Sequence, residues 1–476
     1  MVSAARSLVF LLLLSGTALR AHAQSNFPPP VAQALAAARI PAAAAAALVQ
    51  EVGASRPLLS VNPASPMNPA SVMKLVTTYA ALELLGPAYR WKTEAYTTAP
   101  VRDGVLDGDL VLKGYGDPKL DLEAFWILLR ALRGKGLREI RGDLVLDRSH
   151  FERTQEDPGR FDNEPFRPYN VLPDALLVNY KSLRFSFIPE NGKVRIHVEP
   201  RPPLLDVVNV LRLSDGACPE GQAFIAQLKA TFEPARQRAI FAGQYSSRCG
   251  EKDLHVALLQ PNDHVAGTMR QLWTEIGGTW SGNARDGPLP ADALLLHALD
   301  SPPLAEIVRD TNKFSNNVMA HHLYLTFGAE HAGPPANGQK AFVAVKNWLQ
   351  RKGISAPELV MENGAGLSRI ERISAGNLAS LLQAAWRSAV MPEFISSLPV
   401  VAVDGTMRRR LKGEGVAGQA HIKTGLLSDA RAMAGFVLDR GGRRQVVVML
   451  VNHANAHEAQ PAMDALLRWV YEQGPR

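Results

Sequence analysis

The chain has 476 residues, of which 46% are hydrophobic and 20% are charged, and its formal net charge is +7. This composition excludes a collagen, a disordered tail protein, a disulfide-rich miniprotein and a protein with many membrane spans. At roughly 150 residues per domain, the length predicts about three domains, or one large domain with insertions. The one basic run, Arg408-Arg409-Arg410, is short and has no aromatic neighbours, which argues against a nucleic-acid partner.

Residues 1–23 have the pattern of a secretory signal peptide. Arg6 supplies the positive region, Leu8–Leu14 the apolar region, and Ala21-His22-Ala23 a small-x-small cleavage pattern. The alternative is a membrane anchor, but the apolar run is shorter than the roughly 20 residues that a spanning helix needs. We therefore expect cleavage after Ala23 and export, with no transmembrane anchor left in the mature chain.

The first predicted elements of the mature chain are a hairpin and a helix. Two apolar runs at 43–52 and 58–61 flank a polar turn and predict the hairpin. The helix is predicted to follow Asn68, a favourable N-cap, and Pro69, a favourable first helical residue, and to end at Gly86.

The middle of the chain has shorter, mostly strand-like segments. The sequence Gly-Asp-Leu-Val-Leu occurs at 108–112 and again at 142–146, with a helical stretch at 125–132 between the copies. We interpret this as a strand–helix–strand duplication. Residues 152–172 are rich in Pro, Asp and Arg and predict a linker, and residues 176–258 are mostly strand-like.

Cys218 and Cys249 are the two cysteines of the chain, and both lie in this strand-like segment. Export would expose them to an oxidising compartment, where two cysteines allow a single pairing. A disulfide closing a loop of about 30 residues would contribute roughly 3–4 kcal/mol of stability. Two buried free thiols are the alternative.

The C-terminal part returns to longer elements. Helices are predicted at 304–327, 341–351 and 375–386 and from Pro461 to Tyr471. Strands are predicted at 420–424, 432–438 and 445–452. The tight turns between these strands predict an antiparallel meander.

Three short motifs follow one another along the chain: Ser71-Val72-Met73-Lys74, Ser315-Asn316-Asn317 and Lys423-Thr424-Gly425. An S-x-x-K, an S-D-N element and a K-T-G, in this order, are typical of penicillin-binding proteins and class A β-lactamases. The middle motif is weak by itself, because Ser60-Val61-Asn62 and Ser281-Gly282-Asn283 also fit it. The order of the three motifs and the signal peptide make the set much more specific than its members.

Each motif carries side chains suited to acyl transfer. Ser71 and Lys74 share a helix face, and a serine becomes a nucleophile when a base takes its proton. Lys74 is that base if its pKa is lowered, which burial next to another cation would do, and Lys423 is the candidate for that second cation.

The other two motifs supply the remaining roles. Ser315 can relay a proton and Asn317 can hold a substrate amide. Thr424 can bind a terminal carboxylate, while Gly425 leaves room for a substrate backbone beside an edge strand. The N–H groups of Ser71 and Leu426 are expected to form the oxyanion hole.

With these residues, the chain resembles the class C low-molecular-mass penicillin-binding proteins, the D-alanyl-D-alanine carboxypeptidase/endopeptidases of the penicillin-binding protein 4 type. The resemblance covers nearly the whole mature chain. Further segments that carry it are Gly116-Asp117-Pro118, Asn312-Lys313-Phe314, Asn363-Gly364-Ala365-Gly366-Leu367-Ser368 and Val403-Asp404-Gly405-Thr406.

The resemblance implies an α+β multidomain protein. A penicillin-recognising transpeptidase-like domain, with an antiparallel sheet flanked by helices, would carry two nested inserted domains in the long gap between Ser71 and Ser315. The expected parts are a catalytic domain of residues 24–88 and 296–476, an αβ insertion of 89–172 and 257–295, and an inner β-rich insertion of 173–256.

The resemblance also implies roles for single residues. Ser71 would be the acylated nucleophile and Lys74 its base, with Ser315, Asn317, Lys423, Thr424 and Gly425 completing the site. Asp147 matches best an aspartate of the first insertion that lies near the amino group of the peptide side chain; the alternative is a turn aspartate that ends a strand.

The chain departs from the family in having Leu426 after K-T-G, where Thr or Ser is frequent. It also has His321 in place of a frequent glutamate and Ala365 in place of a frequent serine. We expect no metal at His321-His322, because adjacent histidines on a helix point in different directions. We also expect no cofactor.

The resemblance implies a periplasmic serine DD-peptidase that acts on peptidoglycan peptides through an acyl-enzyme and is inhibited by penicillins. The competing hypotheses are a serine β-lactamase and a non-catalytic cell-wall-binding protein. The balance of carboxypeptidase and endopeptidase activity, the third residue of the peptide and assembly as a homodimer stay open at this point.

Overall fold

The computed structural model describes residues 27–473, so the signal peptide predicted for residues 1–23 lies outside the described residues. The helices are α1 (Pro29–Ala37), α2 (Lys74–Leu84), α3 (Leu122–Gly134), α4 (Gly221–Leu228), α5 (Pro261–Glu275), α6 (Leu304–Lys313), α7 (Asn317–Ala332), α8 (Gly338–Arg351), α9 (Ala375–Trp386), α10 (Met391–Ser397) and α11 (Gln460–Tyr471).

The strands are distributed over six sheets. They are β1 (Ala45–Glu51), β2 (Leu59–Val61), β3 (Lys92–Thr97), β4 (Val101–Arg102), β5 (Val105–Leu106), β6 (Leu110–Gly114), β7 (Glu139–Ile140), β8 (Leu144–Asp147), β9 (Leu183–Glu190), β10 (Lys193–Glu199), β11 (Asp206–Asn209), β12 (Arg212–Ser214), β13 (Ala230–Glu233), β14 (Arg238–Phe241), β15 (Gln244–Ser246), β16 (Lys252–Val256), β17 (Thr279–Trp280), β18 (Ala284–Asp286), β19 (Leu294–Asp300), β20 (Ala420–Leu426), β21 (Ala430–Leu438) and β22 (Arg444–Asn452).

Both ends of the described chain build one five-stranded antiparallel sheet. Its order is β2-β1-β22-β21-β20, so the N-terminal hairpin pairs with the last strand of the C-terminal meander. Ala45 faces Val451 and Glu51 faces Gln445 across that junction. The predicted hairpin and meander are confirmed, and β20 is left at the edge of the sheet.

This sheet is covered by helices on both faces, which explains the continuous apolar run of β22. Successive side chains of a strand point to opposite faces. Val446, Val448 and Leu450 accordingly pack in the core formed with α2 and α6–α9. Val447, Met449 and Val451 pack in a second core formed with α1 and α11. This arrangement confirms the expected α+β sheet flanked by helices.

A second five-stranded sheet, of order β18-β8-β6-β3-β19, contains the duplicated sequence. β6 and β8 are parallel and α3 connects them, as predicted, with Leu110 facing Leu144. The aspartates of the two copies are both held by one guanidinium, because Arg285 lies 2.7 Å from Asp109 and 3.1 Å from Asp143. β19 pairs with β3 along residues 294–300, so the boundary expected at residue 296 falls inside a strand of this sheet.

The innermost segment forms three small sheets from β9–β16 around an aromatic core. Phe187, Phe241 and Tyr245 lie at its centre, and Cys249 packs against it. A disulfide joins Cys218 to Cys249. Between residues 27 and 473, no helix has the length and apolar character that crossing a membrane requires.

Candidate active site

Ser71 lies in a tight turn that precedes α2. Residues Ala70–Met73 form one turn of 3₁₀-helix, and the α-helix begins at Lys74. Ala70 has a positive φ of 45°, and its N–H donates to Oδ1 of Asn68 at 2.9 Å. Asn68 therefore caps the turn, although a 3₁₀ turn stands where the first α-helical turn was predicted. The sharp bend leaves Ser71 half-buried, while Lys74 behind it is fully buried.

The amine of Lys74 is held by three oxygen atoms. Its Nζ lies 2.9 Å from Oγ of Ser71, 2.7 Å from Oδ1 of Asn317 and 2.5 Å from the carbonyl oxygen of Ala365. The structure thus brings the first and second motifs together. Ala365 contributes through its backbone, so the side chain at this position, where serine is frequent in the family, is not the group that contacts Lys74.

Burial lowers the pKa of Lys74 to about 7, and the negative charge of Glu371 opposes part of this effect. Burial also lowers the pKa of Lys423 well below its usual value, and the positive charge of Lys74 lowers it further. Burial is thus the main cause that lowers the pKa of both amines, as expected for Lys74, and the effect of one amine on the other is resolved at Lys423. A neutral Lys74 can accept the proton of Ser71 near neutral pH.

The third motif lies against the second. Nζ of Lys423 donates to Oγ of Ser315 at 2.8 Å and to the carbonyl oxygen of Thr424 at 2.7 Å. Ser315 has a positive φ of 57° at the junction of α6 and α7, which turns its backbone sharply. Asn316 caps α7 by accepting the N–H of Met319 at 3.1 Å, and this leaves Asn317 on the first helical turn, beside Lys74.

Part of the edge strand β20 is open beside Ser71. The N–H of Ile422 donates outward to Pro399 at 2.7 Å, whereas the N–H of Leu427 donates inward to Ala430 at 2.8 Å. Backbone groups alternate along an antiparallel strand, so the N–H groups of Thr424 and Leu426 face the edge. The segment around Pro399 covers the beginning of that edge and leaves these two positions beyond it.

Gly425 allows this strand to approach the nucleophile closely. A Cβ atom at Gly425 would lie 2.7 Å from the carbonyl oxygen of Pro69 and 2.9 Å from the backbone nitrogen of Ser71. The backbone N–H groups of Ser71 and Leu426 are consequently close neighbours. Leu426 itself is 57% exposed, and the hydroxyl of Thr424 donates to that of Thr406 at 2.8 Å.

Asp147 lies at the end of β8. It is 2% exposed, and its Oδ1 accepts the N–H of Ser149 while Oδ2 accepts that of Leu289. Nζ of Lys113 lies 3.4 Å from Oδ2. The carboxylate is therefore held by neighbouring backbone N–H groups and Lys113, and its role beside the peptide side chain stays a prediction. This placement agrees with the alternative of an aspartate that ends a strand.

The predicted linker forms one wall of a cavity near the motifs. The cavity has a volume of about 550 Å³ and lies between residues 152–173 and a wall that includes Asn317, His321 and Ala365. The backbone carbonyl of Tyr169, in this linker, accepts from Nδ2 of Asn317 at 3.3 Å. Composition predicts a linker here, but no residue pattern indicates that it reaches the second motif.

His321 and His322 have different surroundings. His321 lines the cavity, whereas Nδ1 of the fully buried His322 lies 3.1 Å from the carbonyl oxygen of Gly116. No group of three or more potential metal-binding side chains occurs among residues 27–473.

Glu371 and Thr406 are two residues of the site that sequence reasoning missed. Glu371 is fully buried and acts electrostatically on Lys74. Its neighbours Arg369 and Arg372 give the segment the character of a charged surface loop. Thr406 lies within a segment that carries the family resemblance, which is the available signal for its place beside Thr424.

Comparison with known proteins identifies similar chains over nearly this whole length. The sequence model of the D-Ala-D-Ala carboxypeptidase 3 (S13) family matches residues 29–473. A D-alanyl-D-alanine carboxypeptidase of Actinomadura sp. (strain R39) is 30% identical over 416 residues, which are 83% of this chain and 75% of that protein. The D-alanyl-D-alanine carboxypeptidase DacB of Haemophilus influenzae is 25% identical over 414 residues, or 85% of this chain and 84% of that one.

The fold is also found among solved structures. The crystal structure of penicillin binding protein 4 (dacB) from Haemophilus influenzae is similar, with a TM-score of 0.75 and 22% sequence identity. The similarity covers 90% of this chain and 95% of that chain. A structure of the same protein in complex with a β-lactam has a TM-score of 0.71 and 23% identity, over 90% of this chain and 96% of that one.

Proposed function

The chain belongs to the D-Ala-D-Ala carboxypeptidase 3 (S13) family and is a serine-type D-Ala-D-Ala peptidase, and we propose that Ser71 is the nucleophile that its substrate acylates. The observation that carries this proposal is the buried amine of Lys74, which lies 2.9 Å from Oγ of Ser71 and has its pKa lowered to about 7. A base with a pKa near the working pH is the most effective partner for a serine hydroxyl.

In the proposed reaction, Ser71 attacks the carbonyl carbon of a D-Ala-D-Ala bond while Lys74 takes the hydroxyl proton. Negative charge then develops on the carbonyl oxygen. The N–H groups of Ser71 and Leu426 are placed to bind that oxygen, and such donors typically lower the barrier by about 3–4 kcal/mol.

The departing amine requires a proton when the bond breaks. Ser315 is placed to deliver it, since its hydroxyl accepts from Nζ of Lys423 at 2.8 Å. Release of this amine leaves an ester on Ser71. Ser315 recovers a proton from Lys423, and the proton that Lys74 took from Ser71 passes on to Lys423, so that Lys74 is neutral again. Lys74 then takes a proton from the water that hydrolyses the ester and returns it to Oγ of Ser71, and the carboxylic acid product leaves.

We propose that the peptide lies in an extended form along the open part of β20. The backbone groups of Thr424 that face the sheet edge can pair with the backbone of the peptide. The hydroxyls of Thr424 and Thr406 can bind the terminal carboxylate of the peptide. Asn317 can hold an amide of the peptide while its Oδ1 accepts from Lys74. The substrates are peptidoglycan peptides, and penicillins would acylate the same serine.

The experiment is covalent labelling with a fluorescent penicillin. Wild-type protein should form a stable adduct, and Ser71→Ala should form none. Ser281→Ala removes a serine from the rival S-x-N segment and should label as the wild type does. Equal labelling of Ser71→Ala would contradict the assignment, and rapid turnover of the penicillin would indicate a serine β-lactamase.

Mass spectrometry of cross-linked muropeptides after incubation determines which bond is cut. Loss of D-alanine from uncross-linked peptides corresponds to a carboxypeptidase, and conversion of dimers to monomers corresponds to an endopeptidase. Binding of muropeptides without either product would indicate a non-catalytic cell-wall-binding protein.

Two further proposals concern the whole chain. We propose export to the periplasm, which is supported by the signal pattern in residues 1–23. We also propose a catalytic domain interrupted by an αβ insertion that itself contains residues 173–256. The second boundary of the αβ insertion is proposed to follow Asp300, since β19 pairs with β3 up to that residue.

A further inference from the structure

Glu371 is a buried carboxylate that none of the three motifs contains. It is fully buried, and a single oxygen, Oε1, accepts three consecutive backbone N–H groups. These come from Glu362 at 3.0 Å, Asn363 at 2.9 Å and Gly364 at 3.0 Å. Its other oxygen, Oε2, is buried and has no hydrogen-bond partner among the described residues. A carboxylate is rarely buried in this way without a structural or functional reason.

The loop that Glu371 holds leads directly to the amine of Lys74. The carbonyl oxygen of Gly364 accepts from Oγ1 of Thr77 at 2.6 Å, which fixes the loop to α2. The next carbonyl oxygen, that of Ala365, accepts from Nζ of Lys74 at 2.5 Å. The three N–H bonds of Glu371 thus determine where the loop places one of the three oxygen ligands of this amine.

Burial raises the pKa of Glu371, but the three backbone N–H groups and Lys74 favour its charged form, and this charge acts on the same amine. Two charged groups lie near Lys74: Glu371, which lies on the loop, and Lys423, which lies on β20. The phenol of Tyr324 on α7 is close to Glu371. Of these groups, Glu371 is the one that favours the charged form of Lys74. Burial favours the neutral form, so the two effects oppose each other.

We propose that Glu371 is a positioning residue for Lys74, which fixes the carbonyl of Ala365 against the amine and offsets with its charge part of the cost of burying that amine. The inference rests on the proposed role of Lys74 as the base of Ser71. In this proposal Glu371 helps to fix the position of the Lys74 amine, and it also raises the pH at which Lys74 becomes neutral.

The test compares the pH dependence of acylation by a labelled penicillin in the wild type, Glu371→Gln and Glu358→Gln. Glutamine keeps the shape and one acceptor but removes the charge, so Lys74 becomes neutral at lower pH. We expect the acid limb of the Glu371→Gln profile to move down by about one pH unit, which raises its relative rate at low pH by up to about tenfold. Glu358→Gln is the matched control, because Glu358 also accepts a backbone N–H, that of Ser374 at 3.0 Å, but exerts no charge effect on Lys74.

Each outcome bears on the inference separately from the proposed function. Absence of labelling in the wild type would contradict the function, whereas a labelled wild type with an unmoved acid limb in Glu371→Gln overturns the inference. If Glu371→Gln does not fold, Glu371→Asp decides, because it keeps the charge but cannot reach all three N–H groups. It should retain the wild-type acid limb and lose rate, and a wild-type rate in Glu371→Asp would overturn the inference.

Discussion

Lys423 donates from its Nζ to Oγ of Ser315 at 2.8 Å, across 108 positions of the sequence. Lys74 donates to Oγ of Ser71 at 2.9 Å within a single helical turn. Each of the two reactive hydroxyls therefore has its own buried amine. Burial lowers the pKa of both amines, that of Lys74 to about 7, so Lys74 can exchange a proton with the nucleophile near neutral pH while Lys423 contacts the hydroxyl proposed to serve the departing group.

The first prediction is that acylation of Ser71 requires a neutral Lys74. The pKa of Lys74 is about 7, so a protonated amine predominates below this pH and cannot accept the serine proton. The second-order rate of penicillin labelling should rise with pH and be half-maximal near pH 7. Stopped-flow labelling over the acidic and neutral range measures it, and a rate independent of pH would contradict the role of Lys74.

The second prediction separates the backbone of Leu426 from its side chain. Leu426→Pro removes the N–H, and proline is tolerated on an edge strand where the N–H faces outward. Its labelling rate should fall by about 100-fold to 1,000-fold with little change in melting temperature. Leu426→Thr keeps the N–H and should label within a few-fold of the wild type. Similar rates for the two variants would exclude this N–H from the oxyanion hole.

The third prediction concerns the disulfide of the innermost segment. Cys218 and Cys249 close a loop with a sequence separation of 31, so removing both sulfurs should cost this segment roughly 3–4 kcal/mol of stability. The aromatic core around Phe187 is separate from the core that holds α2. The Cys218→Ser/Cys249→Ser variant should therefore lose hydrogen-exchange protection in residues 173–256 and keep its rate of penicillin labelling.

Reduction of the wild-type protein is the control for this variant, because it opens the same bond without a substitution. Both should expose the same segment to exchange. If labelling of Ser71 falls as much as protection does, the inner segment and the catalytic core unfold together and the two cores are not independent.

Local patterns predicted much of this fold. The hairpin, the meander and the parallel pair β6–β8 follow from alternation, turn residues and a repeated sequence, all of which act over short distances. The extent of β19 could not be derived in this way. Its pairing with β3 joins residues that are far apart in the chain, and composition does not change where the strand ends.

The site was predicted to the extent that motifs encode it. Ser71, Lys74 and Lys423 lie together as expected, but Glu371 does not resemble a buried residue in the sequence. It is buried because three N–H groups of a distant turn converge on its carboxylate. Asp147 is a different case, since the family resemblance predicts its role near the substrate, while the structure shows backbone N–H groups that contact both of its oxygens.

The fourth prediction concerns the contact between Gly366 and the turn that carries the nucleophile. Gly366 has a φ of +78°, and a Cβ atom there would lie 1.8 Å from the carbonyl oxygen of Ala70. Gly442 has nearly the same φ, +79°, with nothing within 4 Å of such a Cβ atom. Alanine at either position should cost about 1 kcal/mol because the left-handed conformation disfavours a side chain.

Gly366→Ala must in addition displace the backbone of Ala70 and Ser71. A displacement of about 1 Å at a reacting group can cost about 100-fold in rate. We therefore expect penicillin labelling to fall at least tenfold in Gly366→Ala and to stay at the wild-type rate in Gly442→Ala, with both variants compared by urea unfolding. Equal labelling rates would mean that the turn around Ser71 adjusts without loss, and that its contact with Gly366 does not position the nucleophile.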